Sequence, residues 1–161
     1  MEALAGWGRN IYGAAMLMTT PIVSLILAAA LAIVNLWLSI RVGQVRGSEK
    51  VSIGDGGNER VIRRMRAHAN FGENAWVVLG LVLVIEFSIG SSVWLWAAAG
   101  VFVLGRILHG RGMDGWSFGR MSGTLITMLL QLALAIWAVA IPFSQRAAAP
   151  ATAIEMAPAR G

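Results

Sequence analysis

Four stretches of the chain are long and apolar enough to cross a bilayer, whose hydrocarbon core takes about 20 residues of helix. The first, Pro21 to Ile40 (21–40), carries no charge. Thr19 and Thr20 offer capping hydroxyls before it, and Pro21 suits a first helical turn. Ile11 to Met18 is apolar as well, so this helix is expected to start earlier and bend at Pro21. The second span, about 71–88, is interrupted by Glu73, Asn74 and Glu86. The third, 92–109, holds Arg106 near its end, and the fourth, 123–143, is uncharged with Pro142 closing it. The pattern predicts an all-α integral membrane protein, a four-helix bundle occupying residues 1–146. The Ala/Pro-rich stretch 147–161 has no core-forming pattern and reads as a disordered tail.

The polar segments between spans have structure of their own. Asp55-Gly56-Gly57 marks a tight turn, and Asn58 is placed to cap a following helix. Neither nucleotide-binding glycine fingerprint is present there. From that cap a helix is expected to run unbroken from Glu59 to about Phe87. Its first turns hold Arg63, Arg64, Arg66, His68, Asn70, Glu73 and Asn74, continuous with the apolar span and with no loop residue between. Charged groups at that depth are costly unless they pair or bind something, which makes the block a functional-site candidate.

Composition agrees with the membrane reading. The 161 residues are 57% hydrophobic and 13% charged, with mean hydropathy +0.69, whereas soluble domains average about 25% charged. The absence of cysteine removes disulfides, thiolate metal sites and a thiol nucleophile. The net charge of +5 raises the question of nucleic acid, but the arginines cluster at the ends of apolar spans, so no nucleic-acid partner is expected. Arg41, Arg46, Lys50, Arg60, Arg63, Arg64 and Arg66 lie between the first two spans, and Arg106, Arg111 and Arg120 around the third loop. The connection 88–92 has none. The positive-inside bias places the two basic loops in the cytoplasm and both termini outside. The N-terminus reads as a retained helix rather than a cleaved signal.

Helical phase sorts the polar block. Arg63, Arg66, Asn70, Glu73 and Val77 share one face, so Arg66, Asn70 and Glu73 align a cation, an amide and a carboxylate. That order suits a small zwitterionic ligand with free carboxylates and an amine. His68, Arg64 and Gly72 fall on other faces, and Arg64 is expected to snorkel to lipid phosphates. Arg106 and His109 are spaced i, i+3 on the third span. Arg106 needs a partner, and Glu73 is the natural one by depth; a helix-tying salt bridge and direct ligand contact both remain open. Glu86 reads either as an interfacial residue beside Ser88 or as a proton-transport carboxylate.

Taken together, Gly-Asp-Gly-Gly, then Arg-Arg-x-Arg-Ala-His-Ala-Asn-Phe-x-Glu, Glu86, and Gly105-Arg106-Ile107-Leu108-His109 resemble the MAPEG family, the membrane-associated proteins in eicosanoid and glutathione metabolism, in its bacterial branch. The resemblance covers about Arg41 to Ala138. It implies a homotrimer of four-helix protomers in the bacterial inner (cytoplasmic) membrane, with glutathione as cosubstrate at the cytoplasmic helix ends. It further implies transfer of the glutathione thiol to lipophilic small molecules, or reduction of lipid hydroperoxides. By the same resemblance Arg66, His68, Asn70 and Glu73 on the second helix, His109 on the third, and Arg46 at the end of the first are ligand-binding positions; Arg106, one turn before His109, joins them as a ligand-binding candidate by its spacing. Arg120 resembles an arginine linked to thiolate stabilisation, the candidate catalytic residue.

The chain departs from the family pattern where some members carry an arginine between the histidine and asparagine; here it is Ala69. Tyrosines found in several members after the third-span histidine and at the start of the fourth helix are replaced by Met113 and Thr124, and the only tyrosine is Tyr12. Thiol activation needs nearby cations or donors, a role left to Arg120, Arg46 or Thr124. Two other classes of function stay open at this stage. One is a non-catalytic membrane protein or small exporter using Glu86. The other is a haem or metal site using His68 and His109, although no metal is expected from two isolated histidines.

Overall fold

Val23, Leu27, Leu31, Val34 and Leu38 are buried at spacings of four and three, the apolar stripe by which one face of a helix packs on its neighbours. They belong to α1, Ile22–Ser48, the first helix of a computed structural model that describes residues 20–148. After it come α2, Glu59–Ile89, α3, Val93–Gly112, and α4, Ser117–Ala148. All four are long and apolar enough to cross a membrane. The proposed extension of α1 through 11–18, the Thr19 cap and the tail beyond Ala148 lie outside the described residues.

α1 packs on α2 and α3, and α4 packs on α3 and α2. Ala67, Phe71, Ala75, Val78, Val82 and Ile85 of α2 form the central seam, met by Leu95, Ala98, Ala99 and Phe102 of α3 and by Leu134 and Ile141 of α4. The outer faces stay apolar: Ile33 and Leu36 on α1, and Leu125, Leu129, Leu132, Ile136 and Val139 on α4, are exposed. In water such faces would be a liability; against lipid tails they are already in an apolar medium.

The helices are longer than the apolar spans. α1 continues past Ile40 through Arg41 to Arg46, and α2 begins at the cap Asn58, whose Oδ1 accepts from the Arg60 and Val61 amides at 2.9 and 3.3 Å. The turn before it uses Gly56 and Gly57 at positive φ, with Asp55 Oδ1 accepting from the Gly57 amide at 2.9 Å. Pro142 does not end the fourth helix but lies inside it. Proline removes only one intrahelical bond, and the turns on either side of it carry the helix on.

The start of α1 corrects the reading of Glu86. Pro21 supplies no side-chain cap. Instead, Glu86 accepts from the Val23 amide at 2.9 Å, the Ser24 amide at 2.8 Å, the Ser24 hydroxyl at 2.6 Å and the Ser91 hydroxyl. It is 2% exposed, a fully bonded cap at the end of the bundle rather than a free carboxylate. A carboxylate from α2 thus satisfies orphan amides of α1 inside the bundle.

Small residues bring α3 and α4 together. A Cβ added at Gly123 would meet Gly105 O at 2.5 Å and the His109 amide nitrogen at 2.6 Å. One added at Gly112 would overlap the Arg120 backbone. These contacts set His109 and Arg120 side by side.

Candidate functional site

The α1–α2 and α3–α4 connections lie at one end of the bundle, and the basic residues collect there. Arg66, Ala69, Asn70 and Glu73 from α2, His109 from α3 and Met113 just after it line a cavity of about 260 Å³. Four residues singled out from the sequence, Arg66, Asn70, Glu73 and His109, therefore meet in one place. Arg66 and Glu73 are exposed and lie two turns apart, so opposite charges border the same space.

Arg106 lies beside this cavity without lining it. It is 1% exposed and donates to Asn70 Oδ1 at 2.8 Å and Thr127 Oγ1 at 3.1 Å. The expected pairing with Glu73 is not made. Helical phase explains the correction: Arg106 faces inward to α4, while Glu73 projects outward, so the amide one turn earlier is in reach. Among the described residues no carboxylate pairs with Arg106, and its Nε is buried without a partner.

Further polar contacts run along α2 into the bundle. Asn74 donates to Asn70 O at 2.7 Å and accepts from Gln131 Nε2 of α4 at 2.9 Å. Gln131 was not singled out from the sequence. A lone amide in the otherwise uncharged fourth span was the available signal, since a polar side chain there needs an interhelical partner.

His109 is held by α4. Thr124 Oγ1 donates to Arg120 O at 2.9 Å, and His109 Nδ1 lies 3.1 Å from Thr124 Oγ1 and 3.3 Å from Arg120 O. With the hydroxyl proton given to the carbonyl, both oxygens accept, so Nδ1 carries the imidazole proton; this tautomer is assigned from the bonding pattern. Nε2 is then the nitrogen left with a lone pair.

On its other side His109 lines a second cavity of about 600 Å³ with Phe118, Arg120, Met121, Leu125 and Met128 among its walls. That space is mostly apolar and borders the outer face of α4. Thr124 is also part of its lining. One imidazole thus separates a polar cavity from an apolar one, with Arg120 on the apolar side.

Three other sequence candidates are placed elsewhere. His68 turns toward α1, where Nε2 lies 2.9 Å from Asn35 Oδ1. Arg46 donates to Met65 Sδ at 3.5 Å and does not line the polar cavity. Arg64 is not spent on lipid phosphates: it donates to Asp114 at 3.2 Å and to Arg41 O at 3.1 Å. Arg41 also pairs with Asp114, donates to Gly110 O at 2.8 Å and lies 4.8 Å over the Trp37 ring. A sequence reading that follows one helix face at a time misses this three-helix junction. The two histidines face different helices, and among the described residues no three His, Cys, Asp or Glu side chains cluster as a metal site.

No curated protein matches the chain. The model of the MAPEG family matches residues 24–140, which includes most of all four helices, both cavities and the Glu86 cap. The match spans well over half of the sequence, and the chain belongs to the MAPEG family.

Proposed function

We propose that this protein binds glutathione in the polar cavity and presents its thiol to a lipophilic electrophile or hydroperoxide held in the apolar one. The observation that carries this reading is the shared wall: His109 lines both cavities. Glutathione has two carboxylates, one ammonium and peptide amides. Arg66 suits a carboxylate, Glu73 the ammonium and Asn70 an amide, so the three answer different parts of one molecule. Its thiol would lie near His109, where Nε2 accepts the proton and the Arg120 guanidinium favours the thiolate. In conjugation the thiolate sulfur forms the new bond to carbon, and the proton passes to the leaving group or to the adjacent carbanion. In the peroxidase variant the sulfur attacks the terminal peroxide oxygen, the O–O bond breaks, and the alkoxide leaves as the alcohol with the proton held at His109; a second glutathione thiolate then attacks the sulfenic sulfur, giving the disulfide and expelling hydroxide, which is protonated to water.

The basic end faces the cytoplasm in this reading, by the charge bias of its loops, with the termini on the other side of a bacterial inner membrane. The polar cavity is open at the surface of the single chain, and α4 offers a long apolar outer face. Both features, with the family membership, support a homotrimer in which neighbouring protomers complete the glutathione site. The test is a glutathione titration of detergent-purified wild type against Arg66→Ala and Glu73→Gln. Each variant is expected to bind at least about tenfold more weakly, the loss of about 1.4 kcal/mol. Equal affinity across all three proteins removes the site.

A further inference from the structure

We infer that a second polar cavity at the basic helix ends is the aqueous antechamber of the Arg66–Asn70–Glu73 cavity, and that Met113 sets which solutes pass between them. The inference rests on reading the inner cavity as a ligand site. The antechamber, about 400 Å³, is lined by Glu59, Arg60, Arg63, Arg64, Met113 and Asp114. Met113 is the residue it shares with the inner cavity, just as His109 is shared between the inner and the apolar cavity. The three spaces therefore lie in sequence from the water-facing helix ends to the lipid-facing side of α4, with one side chain at each boundary.

The backbone around Met113 is pinned, and its half-buried side chain packs against the edge of the core. The Met113 amide donates to His109 O at 3.0 Å, and the Asp114 amide to Arg111 O at 3.1 Å. The Asp114 carboxylate is gripped by Arg41 from α1 and Arg64 from α2. An unbranched thioether with three rotatable bonds is the side chain best able to repack at such a boundary by rotamer change, without moving a helix. The antechamber's charges are already matched: Arg60 to Glu49, Arg63 to Glu59 and Arg64 to Asp114. It is polar enough to wet and too nearly balanced to trap an ion. Small hydrophilic anions and zwitterions are the solute class that this path admits, and the size of residue 113 sets their rate of passage.

The chain has no cysteine, so a single introduced thiol reports access to one point. Ala69 lines the inner cavity on the side that is open in the single chain and that neighbouring protomers of the proposed trimer would close, and Ser48 is exposed at the end of α1. Ala69→Cys and, as the outside control, Ser48→Cys are labelled with a membrane-impermeant sulfonated thiosulfonate reagent, each with Met113 intact, Met113→Ala or Met113→Trp. Met113→Ala is expected to raise the Ala69→Cys rate about tenfold and Met113→Trp to lower it, with the Ser48→Cys rate constant throughout. Asp114→Asn, which loosens the support without removing the thioether, is expected to raise the Ala69→Cys rate as well. An Ala69→Cys rate indifferent to residue 113, or a change mirrored at Ser48→Cys, overturns the inference. The readout needs no glutathione, so failure of the antechamber and failure of glutathione binding are separate results.

Discussion

Arg106 and Asn70 form a pair in which an intramembrane guanidinium is met by an amide rather than an acid, Nη2 to Oδ1 at 2.8 Å. Arginine only donates, so the amide oxygen must face it, and the Asn70 nitrogen is the end left for Asn70's other partners. The cation beside the cavity thereby sets the polarity that the cavity shows to a ligand. Asn70→Asp gives Arg106 a carboxylate at the same place. The expected outcome is a protein about 1 kcal/mol more stable to unfolding in detergent, because hydrogen bonds to charged partners outweigh neutral ones. The same change should weaken glutathione binding, since a donor is replaced by a negative charge. Unfolding curves and titration of one variant check both signs.

At Gly123 the backbones of α3 and α4 approach closely beside the site. Gly123→Ala would force its Cβ against Gly105 O and the His109 backbone. Overpacking of this kind costs about 1–3 kcal/mol, and it displaces Thr124 from His109. Gly100, exposed on α3 with open space where a Cβ would be, is the control. Gly100→Ala is expected to be neutral or to stabilise by up to about 1 kcal/mol through helix propensity. Thermal unfolding of the two variants side by side decides, and equal midpoints would contradict the close approach.

Glu86 fastens α1 from the far end of the bundle. In Glu86→Gln one carboxylate oxygen becomes a donor facing other donors, and the remaining bonds lose their charge. A loss of about 2 kcal/mol is expected, the range for leaving buried polar groups unmatched. Hydrogen exchange should quicken at the Val23 and Ser24 amides first. Glutathione affinity should be unchanged, because the cap and the polar cavity lie at opposite ends of α2. Loss of binding without loss of stability would instead give Glu86 a role at the site.

Much of the architecture is legible in the residues themselves. The lengths of the apolar stretches, the Asn58 cap and the glycine turn before it are local properties, written within a few residues of where they act. The alignment of Arg66, Asn70 and Glu73 is equally local, because a helix with 3.6 residues per turn makes face-sharing a matter of spacing. The boundaries were less so. α1 runs on through Arg41 and Arg46, and α4 passes Pro142, because helix length depends on the ends finding partners as well as on hydropathy.

What the tertiary structure alone decided was which polar group answers which. Sequence depth made Glu73 the partner of Arg106, but rotation of α2 against α3 brought Asn70 instead and sent Glu73 outward. Arg64 looked like a lipid contact until Asp114, fifty positions away, arrived between it and Arg41. Glu86 had no partner legible in the sequence; packing gave it the start of α1. In a bilayer, apolar surface does not discriminate among helix rotations, since lipid and protein interior are alike to it. Unsatisfied polar groups do discriminate. The sequence by itself determined that four helices would span and that a polar stripe would lie on the second. The hydrogen-bond partners available after packing determined how those helices are rotated, and so which side chains line the cavities.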